Sequence, residues 1–151
     1  MADLSTTGFA LRVVASNTFP QGFTVTAFSS DSDPWDSPAL DVATVEMDLN
    51  GNMNSWSTPV PMTRTIGLTP GTEDERNMRA LYEANRVGRD KRSARDIITI
   101  VATWPDGSTE TMGGGKIVNG PSGNSTTQAA RMKSVSYGFA FETYSSTGPT
   151  Q

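Results

Sequence analysis

A chain of 151 residues with no cysteine, no histidine and a formal charge of −4 excludes disulfide frameworks, zinc sites built on Cys or His, and nucleophilic sites needing a thiolate or an imidazole base. Its acidic balance, with a pI near 4.7, argues against general nucleic-acid binding, which requires phosphate neutralisation over a broad surface. With 35% hydrophobic residues and 14 glycines, the length fits one turn-rich β domain whose stability is supplemented by neighbours.

Residues 1–8 are small and polar and predict a flexible arm that orders only against something else. They carry no charged, apolar leader, and no run of about 18 apolar residues follows, so neither a secretory signal nor a membrane span is expected. Phe9, Leu11 and Val13 alternate with polar or small residues, as do Phe23, Val25 and Ala27. This spacing predicts an antiparallel hairpin with its turn at residues 20–22. Residues 29–41 are rich in Ser, Asp and Pro and read as a long loop. Asp31, Asp33 and Asp36 lack the glycine and terminal glutamate of a calcium loop, and Pro34 interrupts them, so no metal site is read. Trp35 among these residues either folds back onto the body or waits for a partner, since large aromatics anchor interfaces.

Val45, Met47 and Leu49 alternate with Thr44, Glu46 and Asp48, giving one apolar and one acidic face. Glu46 and Asp48 belong either to a solvent face or to the wall of an aqueous channel. Asn50-Gly51 signals a type I′ turn. Residues 52–61 are too polar to read as the returning strand, and residues 63–68 are expected to complete the pairing.

A helix is predicted over residues 72–86. Thr72 and Glu75 have capping-box spacing, and Glu73, Asp74 and Glu75 suit the positive end of the helix dipole. Met78, Leu81 and Tyr82 form one stripe, Glu75 and Arg79 pair on the wet side, and Gly88 is the expected terminator. Arg86, Arg89, Lys91, Arg92 and Arg95 then place five of the 12 basic residues within ten positions. With Asp90 and Asp96 the local charge is +3, leaving −7 for the remainder. Such a segment is either a solvated linker or a docking surface for acidic partners, identical copies included.

Ile98, Ile100, Ala102 and Trp104 share one side of the next strand, and Ile97 and Val101 suggest that its other side is covered too. A turn at residues 105–108 returns the chain through 109–112. Gly113-Gly114-Gly115-Lys116 fails as a phosphate loop: no glycine stands five residues before Gly115, and Ile117 occupies the Ser/Thr position. Residues 120–128 read as a loop. Residues 133–144 read as one long strand with Val135, Tyr137, Phe139 and Phe141 buried and small residues opposite. The domain is expected to span residues 9–144, with a flexible tail over 145–151.

The two hairpin-rich halves, the single helix, the acidic loop and the long final strand together resemble tail tube proteins of tailed bacteriophages. The likeness runs from Val45 to Glu142 and is carried by the helix, the Arg-rich segment and Tyr137-Gly138-Phe139-Ala140-Phe141-Glu142. It implies a mainly β fold, an antiparallel β-sandwich or partly open barrel with one short helix, whose sheet edges pair with neighbours in a ring, usually hexameric. Rings would stack into the hollow tail tube through which DNA passes without specific binding. Under this resemblance Glu46 and Asp48 face the lumen, and Asp31, Asp33, Trp35 and Asp36 lie in a loop reaching the next ring. Arg86, Arg89, Lys91, Arg92 and Arg95 contact a neighbouring subunit or a sheath. The implied partners are further copies, sheath, tape measure and terminator proteins, in a virion assembled in a bacterial cytoplasm. No catalytic residue, cofactor or metal is implied. The alternatives are the tube of a secretion or bacteriocin particle, or a monomeric virion decoration or binding module.

Overall fold

Period-two burial organises the first strands in the computed structural model, which describes residues 8–28, 34–121, 123 and 132–148. In β1 (Ala10–Ala15) Leu11, Val13 and Ala15 are fully buried, and β2 (Phe19–Val25) returns antiparallel with Phe23 and Val25 inward. The connecting turn lies at residues 16–18, ahead of the predicted position. Pro20 instead sits in β2, an edge strand of the sheet, where its missing N–H costs no ladder bond. Gly22, at φ +76°, faces a register shift in β1, where a Cβ would stand 2.8 Å from the Val13 carbonyl oxygen.

β3 is a two-residue strand, Trp35–Asp36, on the edge of β6 (Met62–Leu68). Between them β4 (Ala43–Met47) and β5 (Met53–Ser57) pair with each other and with no other strand. The polar run after Asn52 therefore supplies the return strand. Residues 63–68, expected in that role, pair with β9 (Val135–Phe141) and carry Ile66 and Leu68 into the core.

The helix α1 (Glu73–Asn85) has the predicted N-cap, with Thr72 Oγ1 accepting from the Glu75 amide at 3.3 Å. The reciprocal half of the capping box is absent. Glu75 turns inward, buried, and accepts from Arg79 Nε at 2.8 Å and from the Tyr137 hydroxyl at 3.2 Å. The predicted Glu75–Arg79 pair thus lies against the core instead of on the wet face. Burial and the neighbouring Glu75 carboxylate push the Tyr137 hydroxyl pKa well above its usual value. Asp74 clamps the helix start to the chain after β2, accepting from the amides of Thr26 and Ala27 at 2.9 and 3.0 Å.

β7 (Ile98–Thr103) buries Ile98, Ile100 and Ala102 as alternation predicts, whereas Ile97 just before it is 58% exposed. β8 (Thr109–Asn119) runs through all three glycines and serves two groups of strands. Its first half, up to Gly115, pairs with β7 on one edge and with β10 (Thr143–Thr147) on the other; its second half pairs with β9. The long final strand is therefore two strands, broken at Glu142 opposite the glycines, and pairing extends to Thr147, inside the segment read as a tail. The order is β2-β1-β7-β8-β9-β6-β3, with β10 also on β8. This eight-stranded antiparallel sheet is folded over as a sandwich and not closed into a barrel.

Leu11, Val13, Ile100 and Met112 from one side meet Ile66, Tyr137, Phe139 and Phe141 from the other, with Met78 and Leu81 of α1 completing the cluster. Each fully buried side chain of this size contributes roughly 1.5–3 kcal/mol relative to exposure. The fold at β8 is tight. A Cβ on Gly115 would stand 2.3 Å from Phe141 Cδ1 and 3.0 Å from the Ile98 carbonyl oxygen, and Gly114 adopts φ +63°. G115A is expected to destabilise the domain by about 1–3 kcal/mol through overpacking, seen as a lower urea midpoint at constant m. G148A, with nothing within 4 Å of its new methyl group, should match wild type; equal midpoints for both variants would show that the ring does not pin the corner.

Candidate functional site

The β4–β5 ribbon is exposed at every position of both strands. Its pairing, Val45 with Ser55 and Met47 with Met53, puts Val45, Met47 and Met53 on one face; Thr44, Glu46, Asn54 and Trp56 take the other. Val45, Met47 and Met53 are 58%, 66% and 64% exposed, and Trp56 is 49% exposed. Two strands alone are marginally stable in water, and here the apolar row lacks the layer that would bury it.

The ribbon tip is locally well built. The Asp48 amide donates to the Asn52 carbonyl at 2.9 Å, the Gly51 amide donates to the Asp48 carbonyl at 3.1 Å, and Gly51 has φ +84°. Asn50 keeps a negative φ, so the turn is a three-residue loop with a glycine bulge and not the predicted type I′ turn. The Asp48 carboxylate accepts from the amides of Asn50 and Asn52 at 2.9 and 2.8 Å. These bonds, the Asn52 amide first, hold its pKa below the ordinary value. Asp48 is thus committed to its own turn, whereas Glu46 is exposed on the ribbon face opposite the apolar row.

The basic segment begins where α1 stops. Gly88 does not take the left-handed conformation expected of it; the helix ends at Arg86, extended at φ −80° and ψ 130°, and Asp90 and Arg95 hold positive φ instead. Glu83 gathers two of the five cations, Arg86 at 3.1 Å and Lys91 at 3.6 Å, and Lys91 also donates to the Glu83 carbonyl. The Arg86 hydrogen bond is the main reason that the Glu83 carboxyl lies below its usual pKa. Arg89, Arg92 and Arg95 are exposed and form no ion pair among the described residues. Val87 and Ile97 add apolar surface at the two ends, 70% and 58% exposed.

Asp96 fixes the far end of this segment. It is buried and accepts from the amides of Asn17 and Thr18, the Thr18 hydroxyl and the Asn85 side chain, while its own amide donates to Asn85 Oδ1. The segment is thereby closed onto the last turn of α1 and the β1–β2 turn.

The acidic loop divides. Asp31 and Asp33 lie outside the described residues. Trp35 is half-buried and packed at the core margin, with its ring 6.3 Å from Phe9 and its backbone paired with Ile66. Of its two readings the structure takes the first: the side chain folds back onto the body. Asp36 beside it is exposed. Trp56 is an exposed aromatic that the sequence reading missed because Asn and Ser surround it; the period-two spacing of Met53 and Ser55 against Asn54 and Trp56 was the available signal. Among the described residues no three carboxylates gather as a cation site.

Residues 2–145 match the family model described as tail fiber protein gp32. No curated protein matches the chain. Among solved structures, a chain of the sixfold-symmetrised anti-feeding prophage baseplate is 10% identical, with 98% of this chain and 97% of that one covered and a TM-score of 0.56. A chain from the sheath/tube terminator of the PVC extracellular contractile injection system, in its extended state, is 14% identical, with coverage of 98% and 99% and a TM-score of 0.50. At these identities the likeness is one of fold.

The Asp96 network has a pH signature. Burial raises its pKa, but the hydrogen bonds from Thr18, Asn85 and Asn17 outweigh burial and leave it below the ordinary 3.8. A value depressed on folding contributes stability above the unfolded pKa, lost as pH falls through the folded one. D96N is therefore expected to lower stability at neutral pH and to flatten the acid limb of the stability curve, measured by urea unfolding between pH 7 and pH 2. An unchanged acid limb would assign the acid sensitivity to other carboxylates.

Proposed function

The chain belongs to the tail fiber protein gp32 family, and from that premise we propose that this phage-tail structural protein assembles with copies of itself into rings, sixfold in number, that stack around a bore for DNA. The observation that carries the reading is the β4–β5 ribbon, exposed on both faces and bearing an apolar row that a neighbour has to cover. The folded core is complete without it, since β4 and β5 join neither half of the sandwich. A second element supports it: Arg89, Arg92 and Arg95 have no ion-pair partner among the described residues, on a segment anchored by Asp96. The role is architectural, and no reaction, cofactor or metal enters it.

One observation favours a variant of this reading. Two of the structural neighbours come from a baseplate and from a sheath/tube terminator, which supports a ring at an end of a tail tube over the repeating unit of its shaft. Sheath, tape measure and terminator proteins are the further partners of either arrangement.

Purified protein at high concentration is expected to give rings of one size in negative-stain micrographs; open-ended tubes would mark a shaft subunit and single rings an end ring. In V45S/M47S/M53S the stability of the domain to urea should change little, by about 0.5 kcal/mol or less as for surface substitutions elsewhere, while sedimentation velocity should show loss of the ring. Rings that persist in this variant would remove the ribbon from the assembly.

A further inference from the structure

Resting on the reading that copies of this chain assemble, we infer that the β4–β5 ribbon of one copy docks on the basic segment between α1 and β7 of the next. The two surfaces are opposite in charge. Between Pro34 and Thr63 the chain holds Asp36, Asp41, Glu46 and Asp48 and no lysine or arginine, whereas residues 86–96 carry +3. They are alike in greasiness. On the ribbon Trp56 shares the face of Glu46 and is half exposed, and Val87 and Ile97 flank the arginines.

Within one copy no hydrogen bond or ion pair joins the two among the described residues. Arg89 and Arg92 on one side and Asp41 and Glu46 on the other are exposed and have no charged partner among the described residues. A ribbon-to-ribbon contact between copies would set Glu46 and Asp48 of one against those of the other, and like-charge juxtaposition opposes association. Contact between a ribbon and a basic segment removes that repulsion and covers apolar surface on both sides. Because the two patches differ, the contact is head-to-tail and repeats from copy to copy, which is the geometry that closes rings or extends stacks. Glu46 then meets a neighbour's arginine instead of lining a bore.

The contact is tested by charge exchange. D41K/E46K and R89E/R92E alter exposed side chains that make no hydrogen bond among the described residues, so both variants should fold, as their melting curves will report. Each alone should need on the order of tenfold higher concentration to assemble. Mixed in equal amounts, the two should assemble together, because a lysine-bearing ribbon then meets a glutamate-bearing segment and a native ribbon meets a native segment. Wild-type assembly should also weaken as salt rises, since exposed charges are screened beyond about 8 Å at physiological ionic strength. Wild-type-like assembly by either variant alone, failure of the folded pair to assemble on mixing, or salt-insensitive wild-type assembly would each overturn this contact while leaving self-assembly intact. A wild-type chain that stays monomeric at every concentration would overturn the underlying reading as well.

Discussion

The fold depends on a close approach between backbone and ring. Phe141 lies against the main chain at Gly115, where any side chain on β8 would collide with it. That contact lets one strand turn from pairing with β7 and β10 to pairing with β9, and so lets one continuous sheet fold over on itself. Without the turn, the buried faces of β1 and β7 and of β6 and β9 would have no opposing layer, and Leu11, Ile100, Ile66 and Tyr137 would lose their common core.

The helix is held to this sandwich by carboxylates as much as by grease. Asp74 ties its start to the amides of Thr26 and Ala27, Glu75 reaches the Tyr137 hydroxyl through the core, and Asp96 binds Asn85 at its end. Buried polar groups of this kind are costly when unpaired and specifying when satisfied. Here they fix the exit of α1 and therefore the attitude of the segment that follows. Arg89, Arg92 and Arg95 are presented by a frame whose two ends are both anchored.

Burial is shared unequally along the chain. The sandwich and α1 hold every residue of the hydrophobic cluster, and the β4–β5 ribbon holds none. The ribbon keeps an exposed apolar row and a carefully bonded turn outside that core, and it is on this exposed surface that the proposed assembly rests.

Local chemistry made much of this legible in the sequence. Period-two alternation marked the buried faces of β1, β7 and β9, the Thr72 cap and the Met78–Leu81 stripe located α1, and the crowd of arginines after Arg86 needed no neighbours to be seen. What depended on distant residues was decided by the tertiary structure. Trp35 was drawn inward because Phe9 and Ile66 offered it a place, Glu75 abandoned its capping position for Tyr137, and the polar residues after Asn52 formed a strand because β4 supplied their hydrogen bonds. The triple glycine failed as a phosphate loop and had no other reading until Phe141 was brought against it. Spacing along a chain records what neighbours in sequence prefer, whereas a ring against a backbone, or a carboxylate against a hydroxyl 62 residues away, exists only once the sheets have closed.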